Sequence, residues 1–277
     1  MNGQMILLEC KQLLRSRWIQ IVTLLFAIVF SAILMIQHLA LPSTGGFTRQ
    51  TASLLNILLF LLPLFMLTIG SMNLASAKEA GWLGLLSTYP LTMGRYVVTK
   101  YIALCLVFSA ISIVVFAVAL FVGSFFGGLK LPAFAVYITV LIIVIFNAVS
   151  VLLGTLAKSR LHALAIGLGT WSVVSLLFSY IMMAIGTVSS EALLKKLVII
   201  MIHVNPLEWI RYGYFVFSEQ TAVLGPAFYG MSKFYSSPPG FVIFGVISLF
   251  WVVLSLMLAT ILLKVRGKRV CRLNCTT

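Results

Sequence analysis

Six stretches of this chain are long and apolar enough to cross a hydrocarbon core, which takes about 20 helical residues. None of them carries aspartate, glutamate, lysine or arginine near its centre. They lie near residues 18–40, 52–74, 101–126, 133–156, 162–186 and 240–264. With 62% of 277 residues hydrophobic, 9% charged and a mean hydropathy of +1.15, a soluble protein of one or two domains is excluded. The predicted fold class is all-α, a polytopic membrane protein with six transmembrane helices. Lys11, Arg15 and Arg17 precede the first span as in a secretion signal, but Ile19 to Ile36 is longer than an ordinary signal-peptide apolar region, so the stretch reads as a retained span.

The formal charge of +14 reflects scarce acid as much as abundant base. Aspartate is absent, and the acidic residues are Glu9, Glu79, Glu191, Glu208 and Glu219. The basic residues cluster at the ends of apolar runs, which points to anionic lipid and the positive-inside rule rather than to a nucleic-acid partner. With the N-terminus inside, thirteen of the 19 lysines and arginines fall on the inner face and six on the outer. Both termini are therefore expected in the cytoplasm, with residues 265–277 as a basic tail. Cys10, Cys105, Cys271 and Cys275 all avoid external segments, so no disulfide framework is implied.

Short turns join the third span to the fourth, at Gly127-Gly128-Leu129-Lys130-Leu131-Pro132, and the fourth to the fifth, at Lys158-Ser159-Arg160. Ala163 and Gly167, four residues apart, allow close helix approach, either within the chain or between two chains. Three segments go beyond a minimal bundle. Residues 1–17 place Ile6, Cys10, Leu13 and Leu14 on one helical side and Glu9, Gln12, Arg15 and Ser16 on another, with Met5 and Leu8 intruding, which suits a helix in the inner interface. Residues 75–99 carry Lys78, Glu79, Arg95 and, just beyond them, Lys100 around the apolar Trp82, Leu83, Leu85 and Leu86. A short amphipathic helix ended by Pro90 is expected there, either resting on lipid or docking a partner. Residues 187–240 are aromatic-rich and outside the spans. Leu193 to Val204 is too short to cross, Asn205-Pro206 interrupts it, and Glu208 and Arg211 are spaced to pair on the next helix.

The chemistry that is missing narrows the function. A span set with no ionisable group at mid-membrane argues against an ion-coupled carrier. Gly267-Lys268-Arg269 lacks the glycine and hydroxyl of a phosphate loop, so the chain is not expected to hydrolyse ATP. No paired carboxylates, serine with a base or metal cluster suggests an intramembrane enzyme, and no catalytic, cofactor-binding or metal-binding residue is assigned. Met182, Met183, Met201 and His203 form a soft-ligand set for copper, against the commoner role of methionine as core filler.

The run from Lys78 through Gly81-Trp82-Leu83-Gly84-Leu85-Leu86 and Pro90 to Arg95 resembles the acid-x-Gly-x-Leu-x-x-Leu-x-x-x-Pro-x-x-x-x-Arg pattern of ABC-2 permeases, the membrane subunits of ABC exporters. Residues 9–17 look like the elbow helix of that family, and residues 187–239 like its paired external re-entrant helices. The resemblance implies a coupling helix at 78–90 that sits in a cleft of a cytoplasmic ABC ATPase, formed here by Glu79, Gly81, Leu83, Leu86, Pro90 and Arg95. Lys78 and Tyr89 match no diagnostic position and receive no role. It further implies a homodimer or a pairing with a related permease in the bacterial plasma membrane. No cofactor is bound by this chain; ATP and magnesium belong to the partner. Asn205-Pro206-Leu207-Glu208 with Arg211, then Leu224-Gly225-Pro226, is similar to NosY-type permeases, which serve maturation of the copper enzyme of nitrous oxide reduction, and implies an external accessory partner. A drug, peptide or lipid exporter of the same class is an alternative, as is a non-transporting six-helix scaffold or sensor.

Overall fold

The computed structural model describes residues 2–40, 49–81, 92–125, 133–218 and 220–274. They form an α-helical bundle with no strand among them. In chain order the helices are α1 (Asn2–Leu14), α2 (Arg17–Ala40), α3 (Arg49–Glu79), α4 (Met93–Ser124), α5 (Ala133–Leu156), α6 (Arg160–Ser172), α7 (Phe178–Val188), α8 (Glu191–Val204), α9 (Pro206–Phe217), α10 (Tyr229–Tyr235) and α11 (Pro238–Asn274). A single π turn, Val173–Leu177, joins α6 to α7 into one 29-residue rod, 160–188. Five helical stretches are long and apolar enough to span a membrane, and a sixth is counted if α1 and α2, which meet at a 66° bend, are taken as one.

Helix α5 is the hub. It is apolar on every side, and a helix apolar all round is stable only when neighbours cover it. Helices α3, α4, α6, α9 and α11 all contact it, while α2 and α1 lie against α4. Polar groups inside the bundle are turned back onto their own helices, where no water competes: Thr68 Oγ1 donates to Leu64 O, Thr139 Oγ1 to Ala135 O and Ser150 Oγ to Asn147 O. The small pair Ala163 and Gly167 serves contact within the chain. A methyl added at Gly167 would stand 2.8 Å from Leu67 O, and Ser71 Oγ donates to Ala163 O at 3.1 Å. That hydrogen bond and the missing side chain bring α6 directly onto α3.

The chain alternates between two faces. One, the basic face, gathers the α1–α2 bend, the end of α3, the start of α4 and the α5–α6 turn. The other carries α8 to α10. Helix α1 does not lie as its sequence suggests: Glu9 is buried beside Leu13, whereas Leu7, Leu8 and Leu14 are exposed. The carboxylate turns inward because a buried cation from α4 meets it there.

Candidate functional site

Helix α5 ends at Leu156 on the basic face, and its last carbonyls have no partner within the helix. Lys78, in the last turn of α3, fills that need: its Nζ donates to Gly154 O, Thr155 O and Ala157 O at 3.3, 2.8 and 2.5 Å. A cation at a helix C-terminus is favoured by the partial negative charge gathered there. Its neighbour Glu79 does the converse. Glu79 Oε2 accepts from the backbone N–H of Arg160 at 3.0 Å, at the positive N-terminus of α6, where Ser159 Oγ also accepts from His162 N. Two consecutive residues of opposite charge thus grip both sides of the 157–159 turn and tie the end of α3 to α5 and α6.

A second anchor follows where the chain re-enters the described residues. Thr92 caps α4 by accepting from Arg95 N, and two turns on, Lys100 is buried, 3% exposed. Lys100 Nζ lies 2.6 Å from Glu9 Oε2 and 3.0 Å from Asn73 Oδ1, with the Tyr96 ring 5.8 Å away. This ties α4 to α1 and to α3. Residues 82–91 are therefore bracketed by Lys78 and Glu79 on one side and Lys100 on the other.

On the opposite face, α9 lies inside the protein rather than at its rim. Trp209 and Ile210 are fully buried, and Leu207, Tyr212 and Tyr214 nearly so. Its two charges pair with each other, Arg211 Nη1 lying 2.7 Å from Glu208 Oε1, so the rest of the helix is free to pack. Trp209 stacks on Phe244 at 4.5 Å and donates to Ser248 Oγ at 3.0 Å. Both ring nitrogens of His203 are engaged, Nδ1 with Ile199 O at 2.7 Å and Nε2 with Tyr235 Oη at 2.8 Å. A carbonyl only accepts, so Nδ1 carries the proton and Nε2 accepts from Tyr235, a bond that copper would have to displace. No group of three or more His, Cys, Asp or Glu able to hold a metal occurs among the described residues. Asn205 is 1% exposed and uses both halves of its amide: Oδ1 accepts from Leu207 N at 2.9 Å, capping α9, and Nδ2 donates to Val174 O in the π turn at 2.8 Å.

Of the residues singled out from sequence, Glu79 and Gly81 sit at the end of α3, Gly81 in a left-handed conformation with φ of 73° that redirects the chain. Arg95 is exposed in the first turn of α4. Leu83, Leu86 and Pro90 lie outside the described residues. Sequence reasoning named Lys78 and Lys100 without giving them a role and passed over Asn73; the signal available for Lys78 was its position at the end of a long apolar helix, next to an acid.

A family profile described as "ABC-2 family transporter protein" matches residues 5–267. The chain is 28% identical over 207 residues to a protein named "Probable ABC transporter permease protein NosY" from Pseudomonas aeruginosa, covering 72% of this chain and 75% of that one. It is 27% identical, with the same coverage, to a protein of that name from Stutzerimonas stutzeri.

Proposed function

Since this chain belongs to the ABC-2 family of transporter proteins, and is with that family a membrane permease rather than an enzyme, we propose that it is the membrane-spanning subunit of an exporter driven by a separate ATPase. In this reading α1 is the elbow helix, residues 78–90 form the coupling element, residues 187–239 form the external segment, and both termini are cytoplasmic. Two such chains, or this one with a related permease, pair around a shared pathway. ATP and magnesium stay on the ATPase.

The observation that carries the reading is the double anchorage of residues 82–91. A segment that must transmit force needs stiff connections at both ends. Upstream, Lys78 and Glu79 hold α5 and α6; downstream, Lys100 holds α1 and α3. Gly81, Leu83, Leu86, Pro90 and Arg95 supply the ATPase contact, and Glu79 relays movement to α6. Nucleotide then biases the bundle only so far as the ATPase contacts its two states differently.

The test is co-purification of the tagged chain from its native membrane, followed by an ATPase assay on the wild type and on Glu79→Lys. A stoichiometric ATPase whose activity is no longer coupled in the variant supports the assignment. Recovery without a nucleotide-hydrolysing partner overturns it and leaves the scaffold or sensor reading. A narrower role, in maturation of the copper enzyme of nitrous oxide reduction with an external accessory protein, is favoured by the relatives' name and by the resemblance at 205–226. It predicts that deleting the chain leaves that enzyme copper-poor in its own cell.

A further inference from the structure

A cleft of about 1060 Å³ opens at the basic face between α1, α2, α3 and α6. It exceeds the roughly 300–1,000 Å³ of ordinary small-molecule sites. Its wall is apolar where it runs along the bundle: Val22 comes from α2, Leu64, Phe65 and Ile69 from α3, and Leu164 and Leu168 from α6. Its rim on the basic face is cationic, with Lys11 from α1, Arg15 from the turn that follows it and Arg160 from the start of α6.

The charge balance is one-sided. Among the described residues the only carboxylate lining the cleft is Glu9, and that is held by Lys100 at 2.6 Å. Neither salt bridge found among the described residues involves Lys11, Arg15 or Arg160. Three exposed cations thus converge over an apolar trough, and among the described residues none of the three is in a salt bridge, Glu79 meeting only the backbone N–H of Arg160. A solvated basic face would suffice to orient the chain in a membrane, but it has no need of a trough beneath it. Cations at one end of an apolar trough complement a molecule that is anionic at one end and hydrocarbon along the rest. The guanidinium and ammonium groups offer charge-assisted hydrogen bonds to phosphate or carboxylate oxygens.

We propose that this cleft binds an amphiphile with an anionic headgroup, its chain lying along α2, α3 and α6 and its headgroup meeting Lys11, Arg15 and Arg160. As an assignment of cargo class this rests on the permease reading, whereas the binding is measured without ATP or a transport step, so each can fail without the other. The same headgroup chemistry is offered by an anionic bilayer lipid and by a transported amphiphile.

The experiment uses the full chain, with whatever ATPase co-purifies, in phosphatidylcholine nanodiscs. Binding of dansyl-labelled undecanoate is followed by its fluorescence. Saturable binding is expected, displaced by dodecyl phosphate but not by inorganic phosphate or dodecyltrimethylammonium. Lys11→Gln and Arg15→Gln each weaken it roughly tenfold, as for loss of one charge-assisted contact. Leu168→Trp weakens it as well with every cation in place. Competition by phosphatidylglycerol added to the nanodiscs identifies bilayer lipid as the source; no competition identifies a transported amphiphile. Equal displacement by the cationic surfactant or by inorganic phosphate overturns the proposal, as does unchanged affinity in all three variants.

Discussion

The buried pair between Glu9 and Lys100 gives the sharpest test of how the basic face is held. Both side chains are shut away from solvent, 9% and 3% exposed, and the ammonium is 2.6 Å from the carboxylate with Asn73 Oδ1 as its second acceptor. Glu9→Gln keeps the shape and an oxygen but removes the counter-charge, which leaves the ammonium buried against two neutral acceptors. Removing one partner of a buried pair costs about 3–5 kcal/mol. For a chain of this size each kcal/mol moves the melting temperature by about 2–4 °C, so a fall on the order of 10 °C is expected. Lys100→Met leaves the carboxylate unpaired and should cost a similar amount. The double variant removes both charges and should recover most of the loss, because an apolar replacement of a whole buried pair is often neutral. The assay is thermal unfolding of the purified protein followed by tryptophan fluorescence in one detergent. A Glu9→Gln loss below about 1 kcal/mol, or a double variant no better than the sum of the singles, refutes the pairing as the anchor of α1.

Lys78→Met exposes the last carbonyls of α5 to an apolar neighbour; it should lower stability by about 1–3 kcal/mol and, in the complex, reduce the response of ATPase activity to the permease. Gly167→Leu drives a side chain into Leu67 O, where even a methyl would sit 2.8 Å away. Separating α3 from α6 should cost at least about 1–3 kcal/mol, read as a lower melting temperature. Tyr212, buried beside Ser232 and Tyr235, has its phenol pushed up to about 12, chiefly by burial. The folded state therefore holds a proton that the unfolded chain releases near pH 10, so stability is constant below that pH and falls as pH rises from about 10 to about 12. Tyr212→Phe should be neutral at pH 7 and should flatten the alkaline fall in unfolding curves. Asn205→Ala removes the α9 cap and the bond to Val174 O together and should cost about 1–3 kcal/mol. Asn205→Asp keeps the cap but cannot donate, so its loss relative to the wild type in thermal unfolding reports the bond to the π turn, and the further loss in Asn205→Ala reports the cap.

The long helices were legible because apolar length is a local property, and lipid leaves the backbone few other choices. Lys158-Ser159-Arg160 marked the α5–α6 turn for the same reason: charge and a capping hydroxyl interrupt an apolar run. Contacts between distant positions were not legible. Glu9 belonged with the polar side of α1 as long as its own neighbours were the only guide; its inward turn depends on Lys100, 91 positions away. Lys78 matched no family position, yet it closes the hub helix. The pairing of Glu208 with Arg211 was legible from their spacing, but the burial of α9 was not, since it depends on distant partners such as Phe244 and Ser248. The π turn has no signature in Val173–Leu177, a run that suits an ordinary α-helix equally well.

These contacts divide the bundle into stiff and compliant parts. The ends of α3 and α4 that flank residues 82–91 in the chain are tied by charge to α1, α5 and the start of α6, so a displacement of the proposed coupling element would be shared among these helices. The rod that leaves this frame is different: within it only Ala163 and Gly167 are buried, and nothing in the π turn or α7 is. Beyond α6 it is attached chiefly through Val174 O to Asn205 and through the turn into α8. Packed cores resist gradual deformation, and motion concentrates in elements with few buried contacts. On the proposed coupling reading, a push at the basic face would pass along the 160–188 rod, which is held by Glu79 at its start and bonded to Asn205 through the π turn. Under that proposal the two ends of the bundle would communicate without any ionisable group at mid-membrane, the feature whose absence first separated this chain from ion-coupled carriers.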